Sequence, residues 1–282
     1  MSAEPEGTHV SGAPGSLVAI GSGIKSAAHL TLEAKAHVEA ADVVLLCSAD
    51  AVTDAYLLTL NDHIEDLHVY YGIDVPRRET YLAMAGRAVE LVRRGNNVVM
   101  VFYGHPGVFV DPTFEAIRQV RAMGLPAVML PGISAEDCMI ADLEVDPAAQ
   151  GLQTYEATYY LSRRIQIDVR VPLVLWQVAL VGDPSFPSDK FDSRNLGMLT
   201  ENLQELYGPD HVVVIYEAAQ HPLAEARIWP VPLSELGPEH VTGISTMFVP
   251  PKEPAFIDTD IVRRMRGEDA PAASSPQRGV TP

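Results

Sequence analysis

The sequence predicts an α/β protein built from two subdomains, and three observations carry that prediction. First, Ser16-Leu-Val-Ala-Ile20 is a short buried-strand pattern followed by Gly21-Ser-Gly23, a helical pattern from Thr31 through Val38, and the buried strand Asp42-Val-Val-Leu-Leu-Cys47. Strand, glycine turn, helix and strand in that order predict a parallel sheet covered by helices. Second, the five apolar residues Val98-Val-Met-Val-Phe102 run straight into Tyr103-Gly-His-Pro-Gly107, a buried strand ending in a turn that brings backbone close to something bound. Third, the pattern changes near Asp146, after which strand-like runs dominate and predict a second α/β half with a mixed sheet. With 282 residues the chain can bury a sizeable core as one large domain or two packed halves.

Residues 1–15 are rich in Gly, Pro, Ser and Glu without periodicity and read as disordered. The first half, 16–145, continues past Cys47 with a short helix from Asp54 to Leu60 and a weak strand from His63 to Leu67. The polar, aromatic segment Tyr70-Tyr-Gly-Ile-Asp-Val-Pro-Arg-Arg-Glu-Thr-Tyr81 then leads into an amphipathic helix stopped at Gly95. Thr113 to Met123 reads as a helix closed by Gly124, and Ala127 to Leu130 as a strand. Ser134, three residues before Asp137, can cap the helix that continues to Leu143. In the second half, 146–252, Tyr155 to Tyr159, Leu173 to Val178, Val212 to Tyr216 and Ser245 to Val249 are strand-like, Asn195 to Tyr207 is helical, and Trp229 to Leu236 is a turn-rich connection. Residues 253–282, charged and then rich in Ser and Pro, read as a mobile tail.

A formal net charge of −17 and a pI near 4.8 repel phosphate backbones and anionic membranes, so neither nucleic acid nor a membrane surface is an expected partner. Cys47 and Cys138 lie far apart with no CxxC or mixed Cys/His cluster and read as reduced packing residues, with no metal site. The opening lacks a basic start and an apolar core, and the longest apolar run, near Val171 to Val181, falls well short of the roughly 20 residues of a membrane-spanning helix. A cytoplasmic location is the expectation.

Gly21-Ser-Gly23 resembles the opening of a dinucleotide fingerprint, but position 26 is Ser where a third glycine belongs, so a Rossmann NAD site is not expected. No lysine-bearing P-loop, no His-Glu-x-x-His and no Gly-x-Ser-x-Gly elbow occurs. Hydrolase and phosphotransfer chemistry lose their usual support.

What remains is the set Gly21-Ser-Gly23, Tyr103-Gly-His-Pro-Gly107 and Pro131-Gly-Ile-Ser-Ala135, each after a strand of the first half. Over residues 16–252 this resembles the tetrapyrrole methylase superfamily, which implies a non-Rossmann fold that binds S-adenosylmethionine between two α/β subdomains. Gly104-His-Pro106 stands where the wider superfamily has Gly-Asp-Pro, and the Asp that usually follows the first glycines is absent. Both departures, with Val-Phe-Tyr-Gly-His-Pro-Gly-Val-Phe-Val and Leu-Pro-Gly-Ile-Ser-Ala-Glu-Asp-Cys, are similar to the borosin peptide α-N-methyltransferases.

That resemblance implies methylation of backbone amide nitrogens in a ribosomal peptide, and assigns Tyr71, Arg77 and Tyr81 to catalysis. For S-adenosylmethionine, which leaves as S-adenosylhomocysteine, it points to Tyr103, His105, Val108, Phe109, Ser134, Ala135, Gln177, Tyr216, Ser245 and Thr246. His68 occupies a place where fungal members have tyrosine. An amide nitrogen is not nucleophilic until its proton is removed, so the enzyme must stabilise an imidate-like anion. A tyrosine of pKa near 10 needs help to act as that base. Arg77 would lower the pKa of Tyr81 and hold negative charge on the carbonyl oxygen, while Tyr71 orients the amide. Read without the resemblance, the same segment is a surface loop with solvated arginines, Gln177 bonds a neighbouring backbone group, and Glu136 and Asp137 are helix N-terminal residues.

Fungal borosins carry their substrate as a C-terminal extension and work as interlocked homodimers. Residues 253–282 offer Phe256, Ile257, Ile261 and Val262 among charges but no apolar block, so the expectation is a homodimer acting in trans on a separate precursor peptide. Two alternatives stay open: a superfamily methyltransferase acting on a small molecule or tetrapyrrole, and a catalytically silent precursor-peptide-binding protein.

Overall fold

The computed structural model describes residues 14–72, 75–182 and 193–268. Most of the expected N-terminal disorder (1–13), Ile73 and Asp74 of the aromatic segment, and the end of the expected tail (269–282) lie outside the described residues. The first half runs β1 (Ser16–Gly21), α1 (Leu32–Ala40), β2 (Val43–Cys47), α2 (Ala51–Leu58), β3 (Ile64–Asp66), α3 (Arg77–Arg93), β4 (Asn97–Phe102), α4 (Asp111–Ala122), β5 (Ala127–Met129) and α5 (Ala135–Asp142). Its sheet has the order β3-β2-β4-β1-β5, and every pairing is parallel, with Ala19 and Leu45 both in register with Met100.

Alternation along these strands explains why both faces are covered. Leu17, Ala19, Val98, Met100 and Phe102 pack with Met84, Ala88 and Ala116 of α3 and α4. Their neighbours Val18, Ile20, Val99 and Val101 pack on the other face with Ala34, Val38 and Leu57 of α1 and α2. Apolar residues at successive positions are what a strand buried on two sides requires. Truncating one of the fully buried side chains, such as Met100, would cost about 2–5 kcal/mol. Helices α1 and α2 begin where the sequence supplies caps: Thr31 Oγ1 accepts from Ala34 N at 3.1 Å, and Asp50 Oδ1 from Thr53 N at 2.9 Å.

The second half holds α6 (Pro147–Gln150), β6 (Gln153–Glu156), α7 (Ala157–Ser162), β7 (Leu173–Trp176), α8 (Leu196–Tyr207), β8 (Val212–Glu217), β9 (Arg227–Pro232) and β10 (Thr246–Val249), and α9 (Thr259–Met265) follows. The sheet order is β6-β7-β10-β8-β9. Only β6 and β7 run parallel, so the sheet is mixed as expected. Leu196, Leu199 and Leu203 of α8 cover one face, and Met139 of α5 packs on the other against Val174, Trp176, Tyr216 and Phe248. Helix α5 thereby joins the two sheets.

Three elements differ from the sequence reading. Tyr155 to Tyr159 is not one strand: β6 ends at Glu156, whose carboxylate caps α7 by accepting from Thr158 N and Tyr159 N. The turn-rich connection at Trp229 is strand β9, which tolerates Pro230 and Pro232 because it lies at the sheet edge. The expected tail contains α9, capped by Asp258 and with no buried residue. Among the described residues no helix is long and apolar enough to cross a membrane, and no cluster of His, Cys, Asp and Glu is arranged to hold a metal ion.

Candidate active site

The carboxyl edge of the parallel sheet gathers the three glycine turns read from the sequence. Gly23 N donates to Gly104 O at 3.2 Å, and Gly104 N returns a bond to Gly23 O at 3.0 Å. Both residues have positive φ, 75° and 70°, where a side chain is strained. A Cβ on Gly21 would overlap the Gly104 carbonyl oxygen, and one on Gly132 would lie 3.2 Å from that same oxygen. Three loops distant in sequence thus meet at bare backbone. The crevice outside the carboxyl ends of the strands is where open α/β sheets bind ligands.

The catalytic candidates reach this edge from β3 and α3. Arg87 of α3 grips Glu65 of β3 bidentately, at 2.8 and 2.7 Å, and Thr80 Oγ1 donates to Tyr70 O at 3.2 Å. These bonds pin the 3₁₀ turn 67–70 against α3 and carry Tyr71 to Tyr81. Because α3 starts at Arg77, Arg77 and Tyr81 are four residues apart on one helical face. The Arg77 guanidinium carbon lies 5.9 Å from the centre of the Tyr81 ring. Arg77 to Tyr81 is therefore a helix start, while Tyr71, Gly72, Val75 and Pro76 before it are exposed and non-helical, as the plainer reading has them.

Tyr71 and Tyr81 act on each other's phenols, in the sense that favours Tyr81 as the phenolate and disfavours Tyr71. Burial pushes both phenols above the usual range; for Tyr81, Arg77 and the Tyr71 hydroxyl oppose burial without overcoming it. Arg77 acts on Tyr81 in the expected downward direction, but burial outweighs it. Its charge limits a rise that desolvation causes.

His68 joins this cluster. Its Nδ1 lies 2.7 Å from Asp66 Oδ1 and its Nε2 3.7 Å from Cys47 Sγ, and its ring centre is 6.2 Å from that of Tyr71. Contact with the sulfur, then with the carboxylate, raises its pKa to about 9. Cys47, at the end of β2, also accepts from Tyr103 N through its backbone oxygen, at 3.2 Å.

The cofactor candidates fall into two groups. Tyr103, His105, Val108 and Phe109 follow the carboxyl end of β4, and Gln177 follows that of β7. Tyr103 Oη accepts from Gln220 Nε2 at 3.4 Å, and His105 Nδ1 accepts from Gly107 N at 2.9 Å, which leaves the proton of a neutral ring on Nε2. Val108 and Phe109 are exposed. Phe109 (φ 58°) and Gln177 (φ 56°) are both held in the left-handed region, a cost of about 1–3 kcal/mol each that clusters at functional sites. Phe109 packs on Trp176, next to Gln177, at 5.9 Å between ring centres.

The second group has its polar side chains committed. Ser134 Oγ donates to Asp137 Oδ2 at 2.7 Å in a capping box that leads into Ala135, the first residue of α5. Ser245 Oγ donates to Glu217 Oε1 at 2.5 Å and accepts from Thr242 N at 2.7 Å. Tyr216 is fully buried and donates to Asp142 Oδ2 at 2.7 Å; burial and that carboxylate hold its phenol far above the usual range. Thr246, buried, pairs with Tyr216 in the sheet. These residues can offer a ligand backbone groups or walls, not free hydroxyls from Ser134, Tyr216 or Ser245.

Sequence reasoning missed Trp176 and Gln220. Gln220 accepts from both Ser26 N and Ser26 Oγ, at 2.8 and 3.0 Å, and so ties the halves together beside Tyr103. Its own sequence carried no signal; Trp176 was marked only by preceding Gln177. A cleft of about 330 Å³ lies beside the Gly132–Ile133 turn, between Lys25, Asp142 and Ala219, and none of the predicted site residues lines it.

The sequence profile of the Tetrapyrrole (Corrin/Porphyrin) Methylases matches residues 16–237. A Gymnopus fusipes protein described as a methyltransferase/ribosomally synthesized cyclic peptide gymnopeptides precursor is 44% identical over 255 residues, which are 89% of this chain and 61% of the relative. A Cerrena unicolor protein described as a methyltransferase/ribosomally synthesized type I borosin cyclic peptide precursor is 39% identical over 274 residues, 94% of this chain and 67% of that one. The chain therefore spans 61 to 67% of the length of these relatives. The crystal structure of uroporphyrin-III-C-methyltransferase from Thermus thermophilus matches with a TM-score of 0.57 at 20% identity, covering 85% of this chain and 94% of that one, a likeness of fold.

Proposed function

Because the chain belongs to the tetrapyrrole (corrin/porphyrin) methylase family, and within it to the borosin methyltransferases, we propose that it methylates backbone amide nitrogens of a ribosomally made precursor peptide with S-adenosylmethionine. The observation that carries this reading is the electrostatically linked pair Tyr71 and Tyr81 with Arg77 one helical turn before Tyr81. A phenol pair beside a guanidinium suits removal of a weakly acidic proton better than it suits a substrate whose nitrogen is already nucleophilic.

The residues present fit the cofactor. Bare backbone at Gly21, Gly104 and Gly132 allows close approach of a polar group. The exposed Val108 and Phe109 offer an apolar wall, and Tyr103, His105 and Gln177 offer polar anchors, with backbone from Ser134, Ala135, Ser245 and Thr246. When bound, S-adenosylmethionine supplies an electrophilic methyl group and a sulfonium charge.

In the mechanism we assign, Tyr81 as phenolate takes the amide proton. The Tyr71 hydroxyl donates to the Tyr81 oxygen and steadies its charge, and Arg77 stabilises the negative charge that develops on the peptide carbonyl oxygen of the imidate-like anion. Residues 253–282 hold charge, Pro and Ser and no apolar block, so they are not themselves read as the acceptor peptide. The assembly is a homodimer, for which Phe256, Ile257 and Met265, all strongly exposed, supply apolar surface.

The test is incubation of the full chain with S-adenosylmethionine and the short peptide encoded beside its gene, followed by tandem mass spectrometry. Backbone-nitrogen methyls on that peptide support the reading. Methyls confined to the protein's own C-terminal residues would place the acceptor in the same chain, as the names of the relatives describe. Transfer to neither would move the assignment to a small-molecule acceptor or a silent peptide binder.

A further inference from the structure

Cys47 does not lie inert in the core. It ends β2 at the carboxyl edge of the sheet, only partly buried, and its sulfur faces the imidazole of His68 at 3.7 Å. The far nitrogen of that ring is held by Asp66 at 2.7 Å, and Asp66 also accepts from His68 N at 2.8 Å, which fixes the ring's orientation. A nucleophile beside an imidazole that a third group orients is one arrangement that activates a side chain for covalent chemistry. Nothing in the proposed methyl transfer uses it.

We infer that Cys47, His68 and Asp66 form a thiol–imidazole–carboxylate centre that makes Cys47 a covalent modification site for soft carbon electrophiles beside the Tyr71–Tyr81 pair. In the reaction the Cys47 sulfur attacks the electrophilic carbon and a C–S bond forms. The bond from that carbon to its leaving group breaks, and the leaving group departs with the electron pair. The thiol proton is released to solvent, and the His68 imidazolium, held across the ring by Asp66, stabilises the thiolate left behind. The rise of the His68 pKa to about 9 agrees with a ring that is already protonated when Cys47 ionises. The site also lies within electrostatic reach of the tyrosines, since charge on Cys47 raises both phenols.

The second cysteine is an internal control. Burial, then Asp142 and Asp137, push the Cys138 thiol up to about 11, and no imidazole is bonded to it among the described residues. Relative to an ordinary thiol Cys138 should react about tenfold more slowly, because the loss of thiolate is only half recovered as nucleophilicity.

The experiment treats the full chain with limiting iodoacetamide and reads the carbamidomethylation rate at each cysteine by mass spectrometry, for the wild type and for His68→Asn. The expected result is Cys47 reacting at least about tenfold faster than Cys138, with His68→Asn slowing Cys47 by about tenfold and leaving Cys138 unchanged. The unchanged Cys138 rate reports that the variant is folded. A Cys47 rate equal to that of Cys138 in the wild type, or a Cys47 rate untouched by His68→Asn in a variant whose Cys138 rate is unchanged, overturns the inference. Should Cys138 speed up in that variant, Asp66→Asn takes its place with the same two readings. None of these readings depends on methyl transfer, so the proposed function stands or falls separately.

Discussion

Tyr81 and Tyr216 lie in opposite halves of the molecule, both are removed from water, and burial raises the pKa of both phenols. Their partners differ. Tyr81 sees a guanidinium and a second phenol, which favour the phenolate, whereas Tyr216 donates to the Asp142 carboxylate, which opposes it. One environment leaves a buried phenol able to ionise; the other fixes it as a neutral donor. The contrast teaches that burial alone marks neither residue as catalytic, and that the charge across the hydrogen bond decides.

The sharpest way to break the contrast is to remove each hydroxyl. Tyr81→Phe should lower the methyl-transfer rate by about 10²–10⁴-fold, the usual contribution of a positioned base, with S-adenosylmethionine binding by calorimetry unchanged. Arg77→Met should lower the same rate by about 10²–10³-fold, as loss of a group aimed at developing charge does. Normal turnover in either variant would remove the assigned role. Tyr216→Phe should leave the rate within a few-fold and cost about 1 kcal/mol of stability in a denaturant titration; a loss of rate as large as that of Tyr81→Phe would erase the difference between the two pockets.

The glycine crossing and His68 give smaller effects. Gly21→Ala places a Cβ on the Gly104 carbonyl and should cost upwards of about 3 kcal/mol, read as a lowered midpoint of unfolding. For His68, protonation in the folded chain persists to about pH 9 against 6.5 for an ordinary imidazole. Its raised pKa contributes stability that is full below about pH 6.5 and is lost as pH rises through 9. The wild type should exceed His68→Asn in Tm at pH 6 and match it at pH 10, by no more than about 1 kcal/mol, because His68 and Asp66 are half-exposed. An equal Tm at pH 6 would contradict that.

Much of the fold was legible in the sequence, because buried strands and their glycine stops write themselves as short apolar runs ending in Gly21, Gly104 and Gly132. What could not be read was that these three glycines meet, which depends on the strand order β4-β1-β5. Strand β9 was hidden by Pro230 and Pro232, residues that an edge position tolerates. Helix α7 was hidden by Thr158, Tyr159 and Tyr160, whose strand preference yields to the Glu156 cap. In the candidate site, Tyr71, Arg77 and Tyr81 were legible as residue types through a family resemblance. The helical spacing of Arg77 and Tyr81, and the engagement of Ser134, Tyr216 and Ser245 in internal bonds, show only in the structure.

The most direct test of the account is the pH dependence of single-turnover methyl transfer to the peptide at saturating S-adenosylmethionine. A base whose pKa burial has raised above the usual 10 is mostly protonated at neutrality, and its active form grows about tenfold per pH unit. The account predicts a rate rising with unit slope from pH 7 to 9 without a plateau. A rate already level by pH 8 would contradict it and assign the proton to a group other than Tyr81.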